Sequence, residues 1–300
     1  MSADELKKQK NLQVDLMLIG MSFIWGLNFT VIKSTLNYFS PMVFNAIRFT
    51  AASLLLLAIL KLKEKSIKID GKDVKQFLLL AIIGNSLYQF LFINGISCTT
   101  AGNSSLILAT TPIFVALLGS VTGVEKIGRR FWQYITLSFI GVSMIIIGSG
   151  KPLALTIQSL IGDMLILAGT ICWSAYTVLS KPLLNRYSPL KLTTVTITLG
   201  TPPLIILAIP YLLTQNWNMV GAWGWLGLAY SSCLAVAIGY TIWYSGVSHV
   251  GGAKTSMYEY LITVIAVAAA WLLLNETMTL IQLLGATLTL TGLYFSRKHK

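Results

Sequence analysis

Ten apolar runs follow one another along 300 residues, joined by connections too short to fold alone. Each run is about 18–24 residues long, the length a helix needs to cross the hydrocarbon core of a bilayer. The first five spans are Asp15–Thr35, Pro41–Leu60, Gln76–Ile96, Ala101–Val121 and Phe131–Ser149. The second five are Leu160–Ser180, Leu190–Leu213, Trp223–Ser248, Gly252–Leu274 and Leu280–Ser296. Hydrophobic residues make up 55% of the chain and charged ones 11%, against roughly a quarter charged in a soluble domain. Lipid is therefore the expected solvent for most of this surface, and the expected fold is an all-α membrane protein of ten transmembrane helices. The alternating ten-residue strands of a transmembrane barrel are absent from the sequence. The first run lacks a small-residue cleavage site and reads as helix 1 rather than as a signal peptide.

The net charge of +12 would suggest nucleic acid in a soluble protein, but the charges alternate with the spans. Basic residues collect in cytoplasmic loops. With the N-terminus inside, 19 of the 22 Lys and Arg fall on the cytoplasmic face and only Lys33 and Lys151 fall outside. Arg48 lies within helix 2. Dropping one helix would reverse every later loop, so this asymmetry supports the count and places both termini in the cytoplasm. The expected partners are lipid and a small solute, with no nucleic acid.

The second half repeats the first. At an offset of 148, Asp15 meets Asp163, Trp25 meets Trp173, Lys33 meets Lys181, and Ser40-Pro41 meets Ser188-Pro189. At an offset of 151, Gly95 meets Gly246, Ser105 meets Ser256, Glu125 meets Glu276, and Gly141 meets Gly292. Five helices per unit is an odd number, so the two copies are expected to be inverted, as in many secondary transporters with a midplane solute site. The expected division is a cytoplasmic segment over 1–14, repeats over 15–150 and 151–296, and a tail over 297–300.

The residues Trp25-Gly26-Leu27-Asn28, Lys33, Pro41, Arg48-Phe49, Ala101-Gly102-Asn103-Ser104-Ser105, Pro112, Glu125, Leu273-Leu274-Asn275-Glu276, Gly285 and Gly292 resemble the drug/metabolite transporter superfamily, specifically its EamA-type ten-helix members. The resemblance spans nearly the whole chain. It implies movement of a solute without ATP hydrolysis, with amino acids, nucleotide-related metabolites and drugs among the family's substrates. In one departure, Thr263 stands where many relatives carry a proline equivalent to Pro112, which weakens any mechanism built on a kink in helix 9.

Ionisable groups inside a membrane are expensive and point to function. Glu259 is the clearest, at the eighth position of helix 9, where it could bind an ammonium or exchange a proton; a packing role beside a Tyr, Thr or Lys254 is the plainer alternative. Arg48 is expected to snorkel outward along helix 2 as an anchor rather than meet the solute or pair with Glu259. Lys254 opens helix 9 and could read an anionic group or simply serve as a loop cation. Asp15 and Asp163 are expected to start helices 1 and 6, where a carboxylate favours the positive dipole end.

Helices 1, 3, 4, 6, 8 and 9 line the central cavity in the resembled family. Inside them fall Trp25, Tyr88, Phe92, Trp173, Tyr176, Tyr240, Trp243 and Tyr258, with the amides Asn28, Gln89 and Asn103 interleaved. An apolar pocket with a few placed amides suits a small amphipathic ligand, and helix-to-helix bonding is the alternative for each amide. Gly285-x-x-x-Thr289 could mediate a dimer or pack within one chain, so both monomer and homodimer stay open. Cys98, Cys172 and Cys233 have no paired spacing, and no metal or cofactor is expected.

The leading expectation is export of a small metabolite, an amino acid with an aromatic or hydrophobic side chain fitting best, from a bacterial cytoplasm across the inner membrane. Efflux of cationic lipophilic drugs against Glu259, or uptake of the same amphipathic solutes, are the alternatives. A membrane enzyme has no sequence support, HExxH and GxSxG both being missing, and the missing phosphate-binding loop excludes an ATP-driven pump.

Overall fold

A computed structural model describes residues 3–99, 101–149, 156–274 and 279–298. Lys151, Asn275, Glu276, His299 and Lys300 lie outside the described residues, as do the side chains of Lys7, Lys8, Lys10 and Lys33. Helices account for most of the described residues. They are α1 (Ala3–Thr35), α2 (Pro41–Glu64), α3 (Gly71–Cys98), α4 (Ala101–Leu108 then Thr111–Val121) and α5 (Arg129–Gly148). There follow α6 (Ile157–Leu184), α7 (Pro189–Thr214), α8 (Ala222–Val250), α9 (Gly252–Ser256 then Tyr258–Leu274) and α10 (Leu280–Lys298). Among the described residues α1 to α8 are long and apolar enough to cross a membrane. The protein is an all-helical, multi-pass membrane protein.

The breaks have identifiable causes. Pro112 sits in the first turn of the second part of α4, where its missing N–H costs nothing. In α9 the break falls at Met257, and Thr263 lies inside the unbroken helix Tyr258–Leu274. The helix therefore interrupts before Thr263 and without a proline. Two helices also switch to π-type winding: α3 over Ile82–Leu87 and α8 over Tyr230–Ile238. π-bulges concentrate at functional sites; here the first ends beside Tyr88 and the second contains Ala235 and Val236.

Helix packing pairs α5 with α10, α2 with α7, α3 with α6, and α1 with α8; α1 also meets α9, and α4 meets α6. The α5–α10 contact is close enough to exclude side chains. A methyl group added at Gly141 would stand 2.5 Å from the Gly285 carbonyl oxygen and 2.5 Å from Thr289 Oγ1. Ser138 Oγ donates to the Thr289 carbonyl at 3.2 Å, and Thr289 Oγ1, which donates to the Gly285 carbonyl at 2.8 Å, stands 3.5 Å from the Ser138 carbonyl. The small residues of Gly285-x-x-x-Thr289 are thus used within the chain.

Two expected helix starts are corrected. Helices α1 and α6 begin at Ala3 and Ile157, so neither Asp15 nor Asp163 occupies a first turn. Asp15 pairs with Arg297 and accepts from Tyr258 Oη at 2.9 Å. Asp163 accepts from Thr99 Oγ1 at 2.6 Å and Asn103 Nδ2 at 2.8 Å. Both are interhelical fasteners.

Candidate functional site

A cavity of about 400 Å³ lies between the helices. Its walls come from α1 (Trp25, Asn28, Phe29), α3 (Tyr88, Gln89, Phe92), α6 (Trp173), α8 (Tyr240) and α9 (Glu259, Ile262, Thr263). Arg48 of α2 and Thr111 of α4 complete the deeper part. Ser105, Ile145, Ser149 and Gln282 line it toward the end of the bundle that holds the C-termini of α1 and α5.

The floor is aromatic. Trp25 and Trp173 meet edge-on with ring centroids 5.9 Å apart, and Trp173 lies 5.2 Å from Tyr88 and 5.1 Å from Tyr240. Trp243 closes the layer beneath, 5.5 Å from Trp25 and 5.4 Å from Trp173. The polar edges of these rings are placed. Trp25 Nε1 donates to the Ala235 carbonyl in the π-wound part of α8 at 2.9 Å. Trp173 Nε1 donates to Glu259 Oε1 at 2.9 Å. Gln89 Nε2 donates to Tyr240 Oη at 2.8 Å. Asn28 Oδ1 is buried without a partner.

Eight of the twelve residues expected to contact a solute line this cavity: Trp25, Asn28, Tyr88, Gln89, Phe92, Trp173, Tyr240 and Glu259. The other four lie outside its lining. Asn103 is taken up by Asp163. Tyr176 is fully buried, its hydroxyl 2.6 Å from Thr196 Oγ1. Trp243 donates to Thr177 Oγ1 at 3.2 Å, and Tyr258 points to Asp15. Lys254 lines a separate depression with Lys126, Arg129, Arg130, Lys181 and His249, beside Glu125.

Arg48 corrects the sequence reading most. It does not snorkel: only 2% of it is exposed. Nη2 donates to Asn45 Oδ1 and Gln89 Oε1, both at 2.6 Å, and Nη1 donates to Ser231 Oγ at 3.3 Å. Polar partners from α2, α3 and α8 hold the side chain inside the bundle, so the outward route is not taken. The absence of a direct Arg48–Glu259 pair is as expected, since no such contact occurs among the described residues.

The end of the bundle opposite the cavity mouth is fastened. The Glu125 carboxylate accepts from the Gly252 and Ala253 backbone N–H groups, capping the start of α9 from the end of α4. Lys181 Nζ donates to the Val247 and Ser248 carbonyls at 2.7 and 2.9 Å, capping the end of α8.

An aromatic cavity with one carboxylate and one guanidinium, enclosed in a multi-pass helical bundle, defines the class as a membrane transport protein. The chain belongs to the EamA-like transporter family, within the drug/metabolite transporter superfamily; the family model matches residues 12–147 and again 160–297. It is 29% identical over 288 residues to the uncharacterized transporter YyaM of Bacillus subtilis, covering 94% of this chain and 93% of that protein. An uncharacterized transporter of Archaeoglobus fulgidus is 30% identical over 295 residues, covering 95% and 98%. A probable amino-acid metabolite efflux pump of Salmonella typhimurium is 28% identical over 285 residues, covering 91% of each. A solved crystal structure shares the fold at a TM-score of 0.78 and 14% identity, over 95% of this chain and 97% of its own.

Proposed function

We propose that the chain is a secondary transporter that exports a small organic solute, an amino acid with an apolar or aromatic side chain, across the bacterial inner membrane by alternating access. Ten spans form two inverted five-helix repeats, over 15–150 and 151–296, with both termini in the cytoplasm. Paired contacts support the inversion. Trp25 and its counterpart Trp173 meet each other, Gln89 bonds its counterpart Tyr240, and Ser138 donates to its counterpart Thr289. Contacts between equivalent residues are what a two-fold axis through the bundle produces, and the family model matches each half once.

The observation that carries the reading is the cavity itself. It is of solute size, it lies between the two halves, and its aromatic floor ends in the Glu259 carboxylate oriented by Trp173. With the charge-derived sidedness, the cavity opens outward, while Glu125 and Lys181 fasten the cytoplasmic end. Glu259 serves as the site for a substrate ammonium or a coupling proton. Export as the direction draws on the name of the Salmonella relative. Efflux of a lipophilic cation is a second reading that Glu259 among aromatic rings also favours.

Purified protein in liposomes, given labelled amino acids with and without a pH gradient, tests the proposal. Saturable flux is expected, and its response to the gradient should disappear in Glu259→Gln. Gradient-independent flux that the substitution leaves unchanged would reduce Glu259 to a packing residue. Failure to move any amino acid, with movement of lipophilic cations instead, would favour the second reading.

A further inference from the structure

Arg48 is a buried cation whose hydrogen-bond partners are all neutral: Asn45, Gln89 and Ser231. The rings of Phe44 and Phe49 lie 5.1 and 5.2 Å from the guanidinium carbon. Ion pairs among the described residues lie elsewhere: Lys72–Asp70, Arg186–Asp73, Lys191–Glu64 and Arg297–Asp15. A guanidinium has five N–H groups. Three hydrogen bonds account for three of them, and Nε is buried with no partner. A buried charge without a counter-charge is costly, yet this one lines the cavity wall.

Packing alone does not call for it. The residue equivalent to Arg48 in the second half is Thr196, at the 148 offset, and a hydroxyl there bonds Tyr176 at 2.6 Å. The residue equivalent to Glu259 in the first half, at the 151 offset, is Leu108. Both charges are therefore departures from a frame that repeats without them, and both face the same cavity. They are linked along its floor. Arg48 bonds Gln89, Gln89 bonds Tyr240, Tyr240 packs on Trp173, and Trp173 bonds Glu259.

We infer that Arg48 is the specificity-determining residue that selects a carboxylate-bearing solute, whose ammonium group is met by Glu259. This rests on the transport reading above and deepens it. A lipophilic cation would satisfy Glu259 but meet repulsion from Arg48. A carboxylic acid without an amine would satisfy Arg48 and meet repulsion from Glu259. A dipolar solute answers both, and its ammonium finds a further acceptor in the unpartnered Asn28 Oδ1.

The test uses proteoliposomes loaded for counterflow of labelled tryptophan, phenylalanine and leucine. For each amino acid that moves, inhibition by the unlabelled parent is compared with its decarboxylated amine, its amide and its deaminated acid. In the wild type all three analogues should inhibit at least about tenfold more weakly than the parent, as expected where a site's polar group is left unpaired. In Arg48→Gln the gap between parent and amine should close to within about twofold, while the deaminated acid stays weak. The wild-type comparison stands even if the variant fails to fold. Flux of an amino acid with the amine competing as well as the parent overturns the role of Arg48 and leaves the transport reading intact. An Arg48→Gln protein that keeps the full discrimination does the same. Counterflow of none of the three amino acids overturns the transport reading for this solute class, and the role of Arg48 with it.

Discussion

Trp173 combines two tasks at the cavity floor: its ring packs among Trp25, Tyr88 and Tyr240, and its indole N–H orients Glu259. Trp173→Phe separates them, keeping an aromatic ring and removing the donor. Hydrogen bonds to charged groups are worth about 1.5–3 kcal/mol, so initial transport rates should fall about tenfold or more while the protein elutes as the wild type does on size exclusion. A rate within twofold of wild type would show that Trp173 acts on Glu259 through packing only. The tryptophans were visible in the sequence because a rare residue recurred at a fixed offset, Trp25 matching Trp173. Arg48 was not visible, because depth counted along one helix gives no notice of Asn45, Gln89 and Ser231 gathering around it. Neither were Tyr258 and Asn103 legible as fasteners, since Asp15 and Asp163 were expected at helix starts and not mid-helix.

Among the elements, the α5–α10 contact tolerates least. A side chain at Gly141 would collide with backbone across the interface, and overpacking of this kind costs about 1–3 kcal/mol. Gly141→Val should therefore lower the melting temperature of the detergent-purified protein by several degrees, while Ile140→Val, on the exposed side of the same helix, should leave it within a degree. Equal effects would mean that the contact is looser than the geometry indicates. Helix positions were largely legible from apolar run length, and the spans fall inside the observed helices to within a few residues at most ends. The first turns of α1, the break at Met257 and the π-wound segments were not legible. The π-wound segments are winding changes that leave no hydrophobic period behind.

At the scale of the whole molecule, the charge asymmetry makes a prediction about sides. In a background with Cys98, Cys172 and Cys233 changed to serine, a cysteine at Ser149 should react with a membrane-impermeant maleimide added to intact cells. A cysteine at Lys126 should react only after permeabilisation. The reverse pattern would invert the assigned topology and turn the cavity mouth toward the cytoplasm. The sidedness is read from sums over many residues and not from any one contact, and this labelling is what tests it.

The two π-wound segments have a consequence for how such a cavity can change over generations. Each takes about one residue more than an α-helix to cover the same turn, so the residues on either side keep the bearing that a shorter, regular helix would give them. A point substitution alters one wall position. Removal of a single codon within Ile82–Leu87 would rewind that stretch as α-helix and leave Tyr88, Gln89 and Phe92 facing the cavity, whereas the same deletion in a regular stretch would swing them by roughly 100° about the axis. The π-wound segment in α8 offers the same tolerance ahead of Tyr240. Length variation, ordinarily confined to loops, thus has a route into the centre of this bundle that leaves the face presented to cargo in place.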